Sequence, residues 1–159
     1  MPTSTYVALQ TVTLGANAAS VTFSSIPATY RDLVLVIKGK LDSLGGVAME
    51  ITFNGDTTLS NYSTVQMSGF GSGSGSSGTS STPEFIMYNA EGSNILQIMD
   101  YSATDKHKTL LVRDNADRVR AAAIRWANTS AITSIKIGDQ PHAIDLYAGT
   151  TLSLYGIAS

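Results

Sequence analysis

The chain has 159 residues, 12 acidic and 10 basic, for a formal net charge of −2, with no cysteine, 20 serines and 18 threonines. That length can bury a core without metal or disulfide staples. The charge gives no basic field for nucleic acid or an anionic membrane surface, and the longest wholly aliphatic run, Leu33–Ile37, is far too short for a transmembrane helix.

Val, Ile, Thr, Tyr and Phe fall in short runs punctuated by Gly, Asn, Asp and Ser, which predicts an all-β chain. Strands are expected over Tyr6–Leu14 and Ser20–Ser24, the latter with Val21 and Phe23 on one face and Pro27 ending the ladder. Tyr30–Lys40 is apolar on both faces between Leu33 and Ile37 and reads as a central strand. Val47–Phe53 alternates cleanly, with Val47, Met49, Ile51 and Phe53 on one face. Asn54-Gly55-Asp56 then supplies a turn. Further strands are predicted over Tyr62–Ser68, Glu84–Tyr88, Asn94–Tyr101, Lys106–Asp114, Arg118–Asn128, Ile132–Ile137 and Thr150–Ile157. Within Arg118–Trp126 the spacing of Val119, Ala122, Ala123 and Trp126 also fits a short helix. About ten or eleven strands with frequent turn signals predict one antiparallel β-sandwich or jelly roll over residues 1–159.

Between Gly69 and Thr82 every residue except Phe70 is Gly, Ser or Thr, so 69–82 reads as a long flexible Gly/Ser loop. It is expected to be either a mobile spacer or a segment that orders against a neighbouring subunit. Charge is absent from Met1–Tyr30 and from Thr57–Pro83. Uncharged, Ser/Thr-rich strands suit subunit interfaces, whose cores are depleted of charge. The uncharged start also lacks the basic n-region of a secretory signal, so the chain is expected to act where it is made or to leave by lysis.

Chemistry is harder to find. Gly73–Gly78 matches G-x-G-x-x-G, but no strand–helix context surrounds it. The histidines, His107 and His142, lie far apart in sequence. His107 sits between Lys106 and Lys108 in a charged stretch, and His142 follows the turn-like Asp139-Gln140-Pro141. Asp139 and Asp145 lack EF-hand spacing for calcium, and the twelve carboxylates single out no glycosidase pair. The expectation is therefore no enzyme, no catalytic residues, no metal and no cofactor. Tyr62, Phe70, Tyr88, Tyr101 and Trp126 are the aromatics that a sugar site would use if exposed, but core packing is expected to claim most of them, because aromatics dominate sandwich cores. Phe70, alone in a polar tract, is a candidate anchor for a partner. With Gly71, Ser72, Tyr6 and Tyr62 it forms the set of candidate partner contacts.

The two ends carry a resemblance. Trp126-Ala127-Asn128-Thr129-Ser130-Ala131-Ile132-Thr133-Ser134-Ile135, Tyr147–Ile157 with its Leu154-Tyr155-Gly156-Ile157 ending, and the opening Ala18–Pro27 and Tyr30–Leu35 resemble a family of small tailed-bacteriophage virion structural proteins. The resemblance implies a jelly-roll or sandwich fold and a place on a capsid or at a tail. The first expectation is a homotrimeric capsid decoration (cement) protein, made in the host cytoplasm, that binds major capsid protein. The alternative is a tail-tip or fibre subunit that recognises host surface polysaccharide. Residues 152–157 fit a structural role: Leu152 and Leu154 share one face, and Gly156 allows close approach near the strand end.

Overall fold

The computed structural model describes residues 4–43, 45–71, 73–115, 118–138 and 144–158. Among them are twelve strands and one 3-10 turn at Leu59–Asn61. In chain order the strands are β1 Tyr6–Thr13, β2 Ser20–Phe23, β3 Asp32–Gly39, β4 Val47–Phe53, β5 Tyr62–Phe70 and β6 Gly75–Ser80. They continue with β7 Glu84–Met87, β8 Gly92–Met99, β9 Lys108–Asn115, β10 Arg118–Trp126, β11 Ile135–Gly138 and β12 Thr151–Ile157. The chain is all-β. Residues 118–126 are extended, with Ala122 and Trp126 turned inward and Val119 and Ala123 outward, so the alternative helical spacing is not used.

The strands form two antiparallel sheets packed as a sandwich. The larger runs β1-β12-β3-β8-β9-β10-β5-β6 and the smaller β2-β11-β4-β7. With the β5–β6 and β9–β10 pairs set aside, eight strands remain. Along the chain they run first, eighth, third, sixth in one sheet and second, seventh, fourth, fifth in the other, the strand order of a jelly roll. The extra four strands all extend the larger sheet.

Period-two alternation places the core. Leu33, Leu35 and Ile37 of β3 and Leu152 and Leu154 of β12 face Val21, Phe23, Met49, Ile51, Phe53, Ile135 and Ile137 of the smaller sheet, all buried. Gly156 continues the inward row of β12, and a Cβ there would land in the ring of Tyr30, which explains the close approach read from the sequence.

Residues 69–82 do not form a long loop. Phe70 closes β5, and Gly75–Ser80 is a strand paired with β5 from Gly69↔Gly75 to Thr64↔Ser80 without a register shift. Backbone hydrogen bonds to β5 hold β6, and its exposed side chains give the sequence no hydrophobic alternation to reveal it. Lys108, expected in a solvated stretch, is buried. Its ammonium donates to the carbonyls of Ala103 (2.6 Å), Lys106 (2.9 Å) and Thr129 (3.3 Å) and fastens two loops at one end of the sandwich.

The β4–β5 connection organises the neighbouring end. Asn54, in the left-handed region, receives the amides of Thr133 (2.8 Å) and Ser134 (3.1 Å) on Oδ1 and donates to the Ala131 carbonyl (2.8 Å). Asp56 accepts from Trp126 Nε1 at 2.8 Å, Asn61 Nδ2 at 2.9 Å and the Thr58 amide at 3.0 Å. Trp126 in turn packs on Phe53, ring centroids 5.5 Å apart. The Trp126–Ile135 motif is thus held to the β4–β5 turn by two side chains. Burial works against the charged form of Asp56, but its hydrogen bonds from Trp126, Asn61 and Thr58 outweigh burial and hold its pKa below 3.8.

Two outcomes follow. Leu154→Asp places an unpaired carboxylate at a 1 % exposed position in the core and should abolish cooperative unfolding by circular dichroism; a folded variant would contradict the β12 register. A depressed carboxylate pKa contributes stability that is present above the ordinary value and lost as pH falls through the folded value. Asp56→Ala should therefore lose about 1–2 kcal/mol at pH 7 by denaturant titration, and the gap to wild type should narrow only below about pH 4.

Candidate interaction surface

The predicted contact residues scatter. Tyr6, at the start of edge strand β1, is 56 % exposed and meets Tyr155 edge-on at 6.5 Å. Gly71 is exposed in the turn after β5. Phe70 ends β5 opposite Arg118, and Ser72 lies outside the described residues. Tyr62 is not a surface residue: it is 3 % exposed, its hydroxyl donates to the Asp56 carbonyl and accepts from the Phe53 amide, and burial pushes its pKa up to about 12. Tyr101 and Trp126 are buried too, because the sandwich uses them as core.

Among the described residues the chemistry-bearing side chains gather no site. His107 is exposed; His142 and Asp139 lie outside the described residues. No cluster of metal-ligating side chains occurs among the described residues. The Gly73–Gly78 match runs into β6, not into a helix. Glu50 and Glu84 stand opposite each other across β4 and β7, both partly exposed, away from the core face of the smaller sheet.

A surface emerges instead on the outer face of the larger sheet, which the sequence reading did not single out. Strand registers align its side chains in rows. One crosses β3, β8, β9, β10, β5 and β6 as Val36, Ile95, Arg113, Ala121, Met67 and Ser77. The next is Val34, Gln97, Leu111, Ala123, Val65 and Thr79, and beyond it Met99, Thr109, Arg125 and Ser63. Val65 is 60 % exposed, Met67 64 %, Leu111 40 % and Ile95 38 %. A shallow groove of about 630 Å³ runs along this face, lined by Val65, Met67, Leu111, Arg113, Ala121 and Ala123. At strand spacing of about 4.8 Å and about 6.8 Å between same-face residues, these sixteen positions over six strands cover roughly 500 Å² in plan, and the nine apolar ones among them roughly 300 Å². The apolar part is of the size of a monomer's largest apolar patch, and such patches are often functional.

The strands that display this face are clamped from beneath. Arg120 and Asp114 form a buried ion pair at 3.3 Å, with side chains 2 % and 4 % exposed. Arg120 also donates to Gln66 Oε1. Asp114 accepts the Ile86 amide at 3.2 Å, and Asn94 donates to the Ile86 carbonyl at 2.8 Å. These bonds occupy backbone groups of β7, an edge of the smaller sheet, and couple it to β9 and β8. Other edges are also guarded: β2 has four residues and β1 carries a bulge between Ala8 and Gln10. β6 has six residues, no charge and no bulge, and lies beside Val65 and Met67.

No family model and no curated protein matches the chain. It is similar in structure to the alginate lyase Aly36B, at TM-score 0.37 and 12% identity over 92% of this chain and 77% of that one. It is also similar to a mutant of that lyase in complex with an alginate tetrasaccharide, at TM-score 0.32 and 10% identity over 93% and 80%. Similarity at this level carries no inference about activity.

The buried pair gives a stability test. Arg120→Leu should cost about 3–5 kcal/mol, because Asp114 stays buried without its guanidinium. Asp114→Asn combined with Arg120→Leu should recover part of that loss, since an amide oxygen still accepts from Ile86. Equal losses in both variants by denaturant titration would contradict the clamp.

Proposed function

We propose that this chain is a bacteriophage virion structural protein, a capsid decoration subunit that binds major capsid protein, acts as a homotrimer on the virion surface, and catalyses no reaction. The observation that carries the reading is the aliphatic outer face of the larger sheet. Four side chains, Val65 and Met67 of β5, Ile95 of β8 and Leu111 of β9, stand exposed on one face of the sandwich, a form suited to burial against another protein. The resemblance of both chain ends to small phage virion proteins supplies the setting. Repeated around a shell, modest contacts of about 800 Å² per partner act multivalently.

The alternative, a tail-tip subunit that recognises host polysaccharide, rests on exposed aromatics for stacking. Tyr62, Tyr101 and Trp126 are buried. Of the remaining aromatics, Tyr6 is exposed and Tyr147, 40 % exposed, is covered by the Lys40 ammonium 4.6 Å from its ring centroid. The outer face offers aliphatic side chains where a sugar ring would stack, which favours the decoration reading.

Quantitative mass spectrometry of purified virions tests it through copy number relative to major capsid protein. Hundreds of copies per particle are expected. A dozen or fewer would move the protein to the tail, and none would overturn the virion assignment.

A further inference from the structure

The outer face carries a charge signature of its own. The protein is acidic overall, yet Arg113 and Arg125 are the charged residues on the outer faces of β8, β9, β10, β5 and β6 among the described residues, and both are exposed. The carboxylate on these strands, Asp114, is buried beneath the sheet in its pair with Arg120. Arg113 stands between Ile95 and Ala121 in one row, and Arg125 between Thr109 and Ser63 two rows away. Neither forms an ion pair among the described residues. Arginine stems lie along apolar surface while the guanidinium stays at the rim, where it binds carboxylate in two-pronged geometry.

We infer that the outer face docks a protein surface made of an aliphatic ridge flanked by carboxylates, the ridge lying over Val65, Met67, Leu111 and Ala123 and the carboxylates pairing with Arg113 and Arg125. This rests on the decoration reading, in which the partner is major capsid protein. Charge disfavours a second copy meeting this face with the same face, because that would bring Arg113 and Arg125 against identical cations. Aliphatic side chains without an exposed aromatic on these rows favour protein over polysaccharide. At roughly 500 Å² in plan the face is smaller than the about 800 Å² per partner of a standard interface, so the contact is a small one that gains from repetition around a shell.

The test uses virions assembled without this chain, to which purified protein is added back and bound copies are counted. Wild type should bind, and less tightly as salt rises from about 0.05 to about 0.5 M, since rim charges are screened. Arg113→Glu with Arg125→Glu should weaken binding by about tenfold or more and reverse the salt dependence, because glutamate facing carboxylate is a repulsion that salt screens. Arg113→Lys with Arg125→Lys should lose less. Val65→Ser with Met67→Ser should weaken binding while keeping the salt dependence; both positions are exposed, so folding is not at risk. Lys136→Glu, on the other sheet, should change nothing. If wild type binds and the Glu variant binds equally, the docking face is wrong and the decoration reading stands. If wild type does not bind, both fall. Two further results would overturn the proposal: wild type that self-associates in sedimentation and is dispersed by the Glu variant, and wild type that binds soluble polygalacturonate and loses it in that variant.

Discussion

Four strands face eight, and most of the molecule follows from that mismatch. A sheet can bury one face only where something covers it. The inner face of β12, β3 and β8 lies against the smaller sheet and is aliphatic over Leu152, Leu154, Leu33, Leu35, Ile37, Leu96 and Ile98, with Asn94 of β8 as its polar member. Beneath β9, β10 and β5 the pattern changes within single strands. Trp126 meets Phe53 and the β4–β5 turn at one end, and Arg120 meets Asp114 and Gln66 at the other. A buried ion pair is a poor source of net stability, but this one occupies the Ile86 amide of an edge strand and links the two sheets through hydrogen bonds.

Among the described residues no layer covers the outer face of β9, β10 and β5. On a solvated face, alternation would place polar residues outward. β5 does the reverse: Tyr62, Thr64 and Gln66 turn in while Val65 and Met67 turn out. A one-residue slip would restore the ordinary arrangement, but the register is fixed by the core role of Tyr62 and the long ladder with β10. The chain therefore keeps an inverted strand, and inversion of the usual pattern is what a contact surface requires. The proposed decoration role gives that inversion a purpose.

How far the sequence discloses this varies by element. Val47–Phe53 was bounded without error, and the central position of Leu33–Ile37 and the close approach at Gly156 were legible, because each rests on burial of apolar side chains. β6 was hidden because six Gly, Ser and Thr residues are held there by backbone pairing alone. Tyr62 stands among the expected partner contacts because nothing local in the sequence shows that Asp56, six residues earlier, supplies the carbonyl that lets its hydroxyl be buried. The outer face was hidden for another reason: Val65, Leu111 and Ala123 come from three strands, and only the registers bring them into one row.

Methionine oxidation reads the central claim directly, because Met67 lies in the middle of the proposed contact at 64 % exposure while Met49 and Met87 are core residues. Exposed thioethers oxidise to sulfoxide faster than buried ones. Peptide mass spectrometry after a brief oxidant pulse should show Met67 oxidised readily in the free protein and protected in intact virions, with Met49 and Met87 slow in both. Met67 oxidised at the same rate in virions as in solution would mean that the outer face stays uncovered, contradicting its role as the contact surface.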